Sequence, residues 1–179
     1  MIKDSGNRRK FDSGAVRDIQ EGKGRCDLLP LDVVAPMFEH RSEALILSYI
    51  DEFMQTKQDY NLYLAIQEFI ESAQVDVYTA ILEVSIHYEE GAKKYGEHNW
   101  EKGLPLNCYI DSGIRHMLKY FRGDNDENHF RAFIWNMLGA IWTNKHVKTT
   151  TEGTTSTIEH DPVCSSSKIT NRTLYTFET

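Results

Sequence analysis

Between Pro30 and Lys148 the apolar residues recur at helical spacing, in runs separated by Gly, Pro and polar breaks, and this pattern limits the fold more than any other feature. Leu31, Val33, Val34, Ala35 and Met37 suggest a short helix. Ser42 is placed to cap a second over about 43–56, with Leu45, Ile46, Tyr49, Ile50 and Phe53 on one side. The pattern continues over 61–71 through Leu62, Leu64, Ile66, Phe69 and Ile70, either as a separate helix or within one longer, bent helix. Further helices are predicted over about 74–95, 106–122 and 127–144, with Pro105 suiting a start and Gly123 an end. The expected fold is all-α, a helical bundle of about five helices with a polar N-terminal arm and a flexible C-terminal tail.

The arm, 1–30, is broken by Gly6, Gly14, Gly22 and Gly24 and reads either as disordered or as a segment that folds over a site. The helical domain spans 31–148. The tail, 149–179, is rich in Thr and Ser and reads as flexible, although Leu174, Tyr175 and Phe177 could add a strand or dock on a neighbour.

The 179 residues suffice for one ordinary domain, and 40% apolar content allows a real core. A net charge of −7 argues against a broad nucleic-acid footprint, which needs a basic stripe. It leaves room for a nucleotide, because a divalent cation brings its own charge. Cys26, Cys108 and Cys164 form no CxxC pair, so a zinc knuckle is not expected. Their odd number and a polar start without an apolar leader point to a reducing, cytoplasmic setting. No apolar run approaches the ~20 residues of a membrane span.

Four constellations can carry chemistry. Glu83, His87 and Glu90 stand at i, i+4 and i+7, within roughly 60° of one another on one helix face. Such carboxylates can hold a hard divalent cation while water and phosphate oxygens complete its shell; the plain alternative is a solvated face. In the loop that follows, Lys93 and Lys94 can meet phosphate, Tyr95 and Trp100 can stack on a base, and Asn99 can read its edge; the alternative is a solvated turn. Asp111 and Arg115 stand at i, i+4, which suits a simple ion pair or, functionally, a metal-bound acid beside Arg115 or His116 on phosphate. Asp126 and Glu127 begin a helix, where the dipole favours carboxylates, and His129 and Asn136 share one face of it. Acids on three successive helices with cations between them suit a metal-bound triphosphate site in a bundle.

These residues resemble the phage-type dATP/dGTP diphosphohydrolase family, within the all-α MazG-like nucleotide pyrophosphohydrolases. The matching pieces are GAVRD (Gly14 to Asp18), GKGRCDLLP (Gly22 to Pro30), Glu83, GAKKYGEHNWEKGLP (Gly91 to Pro105), YIDSGIRH (Tyr109 to His116), DENH (Asp126 to His129) and WN (Trp135 to Asn136). The resemblance covers roughly 12–145, apart from about 39–72, which reads as an insertion. It departs from the wider group's doubled acidic motif, EExxE and ExxD. Lys93 falls where a third acid follows Glu89 and Glu90, and Phe130 falls where the Asp follows Glu127.

The resemblance implies hydrolysis of a purine dNTP between its α- and β-phosphates, giving dNMP and pyrophosphate, with Mg²⁺ or Mn²⁺ as cofactor. It assigns Glu83, Asp111 and Glu127 to metal or water activation, with Glu90 as a further metal ligand. Lys94 and Arg115 would meet phosphates with Lys93 and His116 in support, and Tyr95, Asn99 and Trp100 would hold base and sugar. His129 and Asn136 join the substrate-binding set, and Arg17 and Arg25 would close over the nucleotide from the arm. A homodimer or homotetramer is implied, in the host cytoplasm if the chain is phage-encoded. An HD-type phosphohydrolase is disfavoured, because the only His-Asp dipeptide, His160–Asp161, lies in the tail. The non-enzymatic alternative is a nucleotide-binding or helical interaction protein, with Tyr60, Tyr63 and Phe69 available to a partner.

Overall fold

A computed structural model describes residues 6–20, 22–38 and 41–147. The expectations for the tail fall outside that range. The fold is an all-α bundle with a small antiparallel hairpin laid against it. The hairpin pairs β1 (Arg8–Lys10) with β2 (Val16–Asp18), Arg9 opposite Arg17. Gly14, at φ 80°, takes the left-handed conformation its turn requires. The polar arm is therefore an ordered element in its described part, and its route back passes through a turn at Cys26–Leu28 that packs on the helix Leu106–Arg122.

The short helix α1 (Leu31–Val34) leads into α2 (Ser42–Thr56). Ser42 is the first helical residue rather than the cap; Arg41 precedes it with no side-chain cap bond. Helices α2 and α3 (Asp59–Ser72) are separate, because Lys57 turns into the left-handed region between them. Asp76 caps α4 (Val77–Tyr95) by accepting from the Thr79 amide, which starts that helix three residues later than its periodicity alone suggests. Helix α5 spans Leu106–Arg122 and ends at Gly123 in the left-handed region. Asn128 caps α6 (His129–His146) through the Arg131 amide, leaving Asp126 and Glu127 in the preceding loop.

The most extensive contact joins α5 and α6. Two glycines make it close. A Cβ on Gly139 would lie 2.3 Å from the Tyr109 ring, and one on Gly113 would lie 2.2 Å from the Met137 methyl. Each helix thus seats a large side chain of the other on a bare backbone. The core continues into α2 and α3 through the fully buried Ile46, Leu47, Ile50, Phe53, Leu62 and Phe69. The Phe69 ring packs on Tyr120, Phe121, Phe130 and Phe133 at centroid distances of 4.9, 5.8, 5.6 and 4.3 Å. Asn144 holds the α2–α3 turn by donating to the Lys57 carbonyl and the Asp59 carboxylate. This apolar end leaves the opposite faces of α5 and α6 for polar groups.

Candidate active site

A cleft of about 800 Å³ is walled by the hairpin, the C-terminal half of α4, the loop to α5, and the polar faces of α5 and α6. Its size matches a small-molecule site. Four aromatic side chains, Tyr88, Tyr95, Trp100 and Trp135, line it. Tyr88 packs on both tryptophans at 5.6 and 6.1 Å. Burial raises the Tyr88 and Tyr95 phenols to about 12, so both stay neutral donors at physiological pH.

The arm is latched over this cleft by side chains that the sequence suggests for substrate or metal. Asp111, 2% exposed on α5, accepts from the Gln20 amide (2.7 Å), the Cys26 backbone N–H (2.6 Å) and the Arg115 guanidinium. Arg115 also donates to the carbonyls of Lys23 (2.9 Å) and Gly24 (3.2 Å). Asn99 makes a reciprocal pair with Val16, accepting from its N–H (3.0 Å) and donating to its carbonyl (2.9 Å). Arg9 reaches Gln20 and the Cys108 sulfur, both at 2.9 Å.

Arg17 is different. Its side chain points from β2 onto Asn136 of α6, donating through Nη2 to Oδ1 at 2.6 Å, and lies over the rings of Tyr109 and Trp135. No carboxylate pairs with it, and its buried Nη1 has no hydrogen-bond partner among the described residues. Burial lowers the Arg17 pKa, with Tyr109 pulling the other way, yet a guanidinium remains charged. A half-buried cation with an unpaired, buried nitrogen is costly to keep unbalanced.

At the far end of the cleft α5 meets the loop before α6. His116 Nδ1 lies 3.0 Å from His129 Nδ1. Glu127 Oε1 lies 3.7 Å from the first and 4.0 Å from the second. Behind them Asp126 Oδ1 holds His129 Nε2 at 2.8 Å, and Lys119 donates to its other oxygen at 3.1 Å. Burial, and then the nearby His129 and Arg17, push the His116 pKa well down, so its ring is neutral and able to offer a lone pair. His116, Glu127 and His129 form one of two His/Asp/Glu groupings among the described residues with spacing for a metal ion. The other, Asp124, Asp126 and His129, shares His129 and has Asp124 paired with Arg122.

The cleft lining brings together Arg17, Tyr95, Asn99, Trp100, Asp111, Arg115, His116, Glu127 and Asn136 from the sequence-derived set. His129 stands directly behind His116. Glu83, Glu90, Arg25, Lys93 and Lys94 are not part of the lining. Glu83 is held by Arg131 at 2.6 Å, and Arg25 by Asp27 at 2.6 Å. Lys93, at the position where the acidic motif would have a carboxylate, pairs with Glu89. Lys94 is mostly covered and lies 4.0 Å from Asp18. Arg9, Gln20 and Lys119 border the cleft without having been singled out by the sequence, and Trp135 entered only through the WN match; the strands RRK and VRD carry no alternation that could have marked the hairpin.

The sequence profile of the family described as "dATP/dGTP diphosphohydrolase, N-terminal" matches residues 51–152, more than half of the chain. The chain belongs to that family. The match begins inside α2 and runs through α4, α5 and α6, so it takes in three walls of the cleft and excludes the hairpin. No curated protein and no solved structure matches significantly. No helix among the described residues is long and apolar enough to cross a membrane.

Proposed function

We propose that this chain is a metal-dependent nucleotide pyrophosphohydrolase that cleaves dATP or dGTP to the monophosphate and pyrophosphate. The carrying observation is Arg17, a half-buried cation with a buried, unpaired Nη1 and no carboxylate partner among the described residues, in a cleft of nucleotide size. Family membership supplies the reaction class. The aromatic wall suits a purine ring. Arg17 is assigned to a phosphate oxygen, with Asn136 orienting it. Asp111, Asn99 and Arg115 act as positioning residues that hold the arm, and through it Arg17, against the cleft.

The donor set at His116, Glu127 and His129 fits a divalent cation, Mg²⁺ or Mn²⁺ in the family reading, because three lone-pair atoms converge beside the cleft. Such an ion neutralises phosphate charge and lowers the pKa of a bound water. Glu127 would hold the ion through Oε1, which leaves its second oxygen as the candidate to accept the water's proton. Glu83 and Glu90 lie one helix away and are left to shape the field on α4.

A homodimer or homotetramer forms part of the proposal. Val77, Tyr78, Ile81, Leu82 and Ile86 make an exposed apolar stripe on the N-terminal half of α4, at 53, 81, 52, 68 and 37% exposure. A patch of that kind marks an interaction surface. The proposed domain limits are 1–30 for the arm, 31–148 for the catalytic bundle and 149–179 for the tail, with the work done in the cytoplasm.

The test is a nucleotide panel with and without chelator, reading monophosphate and pyrophosphate separately. Release of both from dATP or dGTP, abolished by chelator, is expected. Nucleotide bound but never turned over would move the chain to the nucleotide-binding reading.

A further inference from the structure

We infer that the corner formed by His116, Glu127 and His129 is a site for a first-row transition ion that accepts imidazole nitrogen more readily than Mg²⁺ does, of the Mn²⁺, Co²⁺ or Zn²⁺ class. This narrows the metal in the proposed reaction, but it rests on the three side chains alone and is measured without nucleotide.

The three facing atoms, His116 Nδ1, His129 Nδ1 and Glu127 Oε1, define a triangle with sides of 3.0, 3.7 and 4.0 Å. The point equidistant from its corners lies about 2.1 Å from each, which is the length of a transition-ion bond to imidazole or carboxylate. Two imidazole nitrogens facing each other at 3.0 Å can share only one proton between them. An ion replaces that arrangement with two nitrogen bonds.

The outer layer agrees. Asp126 faces His129 Nε2 at 2.8 Å, which favours the tautomer with its proton on Nε2 and turns Nδ1 toward the triangle. Lys119 holds Asp126 in turn at 3.1 Å. A carboxylate behind a ligating imidazole is the usual support of a metal-bound histidine. All three side chains are mostly covered, at 13% for His116, 1% for His129 and 14% for Glu127, and His116 and Glu127 line the cleft. Mg²⁺ prefers an all-oxygen octahedral shell and parts with water reluctantly, so two nitrogens of three protein ligands select against it.

The experiment uses the full chain, stripped with chelator and titrated with MnCl₂, CoCl₂ or MgCl₂ by equilibrium dialysis, with Mn²⁺ paramagnetic resonance and the Co²⁺ visible spectrum as direct readouts. Binding of Mn²⁺ and Co²⁺ that about a hundredfold excess of Mg²⁺ does not displace is expected. His116→Ala and Glu127→Gln should each weaken Mn²⁺ binding by about tenfold or more, and Asp126→Asn by about tenfold with a shifted Co²⁺ spectrum. His129→Ala should do the same; because His129 is buried, its folding is checked by circular dichroism, and His116→Ala and Glu127→Gln decide the matter if it fails. Equal competition by Mg²⁺, or parental Mn²⁺ affinity in His116→Ala and Glu127→Gln, overturns the inference. Tight Mn²⁺ without hydrolysis would sink the hydrolase reading alone. Hydrolysis with histidine-independent Mg²⁺ would sink only this one.

Discussion

Asp111 and Arg17 line the same cleft, one from α5 and one from the arm, and both carry charge out of water, yet their surroundings differ in kind. Asp111 accepts hydrogen bonds from Gln20, the Cys26 amide and Arg115. Asn99 is likewise used at both ends by Val16. Arg17 has one neutral partner, two aromatic faces and an idle Nη1. A buried carboxylate with both oxygens engaged is holding the protein together, whereas a cation with capacity to spare costs stability and can still meet a ligand. The latch is therefore assigned to structure and the Arg17 side to binding, although both use residue types that invite a catalytic role.

The sharpest attack on this division is Asp111→Ala. It leaves the Cys26 amide, the Gln20 amide and part of Arg115 without an acceptor in a covered place. A loss of about 3–5 kcal/mol is expected in urea unfolding. A cost below about 1 kcal/mol would mean that the latch carries little.

The acid limb of stability is next in size. His87 packs on Trp135 at 5.6 Å, and burial lowers its pKa to about 4, with Glu90 opposing. The folded value lies below the unfolded one near 6.5, so folding favours the neutral ring. That contribution is whole above about pH 6.5 and is lost as pH falls toward about 4, a span worth at most about 3 kcal/mol. His116 shifts in the same direction and adds to the slope. Urea midpoints between pH 4 and 7 should fall less steeply in His87→Gln than in the parent.

Asn99→Ala should cost less, about 1–3 kcal/mol, because it strands one N–H and one carbonyl of Val16 without a charge. Hydrogen exchange should show faster amides across 8–18 and unchanged ones in α5. Uniform loosening of the bundle would contradict a local latch.

The helices were readable because their signals are local. Apolar spacing set α5 at Leu106–Arg122; α4 and α6 start later than expected because Asp76 and Asn128 took the cap, and α6 also runs two residues further, to His146. The hairpin was not readable, since its three-residue strands RRK and VRD lack apolar alternation. Residue types that invite chemistry were readable one by one, but not which of them share a cleft, since Glu83, Glu90, Arg25, Lys93 and Lys94 stand outside the lining. Whether Asp111 holds a metal or the arm depends on Gln20 and Cys26, 91 and 85 residues away. The spacing of Glu83, His87 and Glu90 on one face was sound, but Arg131 of α6 claims Glu83. The convergence of His116 and His129 needed α5 and α6 packed through Gly113 and Gly139.

Arg17→Met gives the smallest change in stability and tests the other side of the comparison. The substitution keeps a long apolar stem against Tyr109 and Trp135 and removes a buried cation with an idle nitrogen. Against that gain, Asn136 Oδ1 loses its donor. The two nearly cancel, so unfolding free energy should change by less than about 1 kcal/mol in either direction. A charge-assisted contact to phosphate is worth up to about 3 kcal/mol, so dGTP affinity, read by calorimetry, should fall by about a hundredfold. The division between latch and binding wall requires that pairing of a near-neutral fold with a large binding loss. A variant that unfolds like Asp111→Ala, or binds nucleotide like the parent, would place Arg17 among the latch residues and leave the cleft without its anion-binding group.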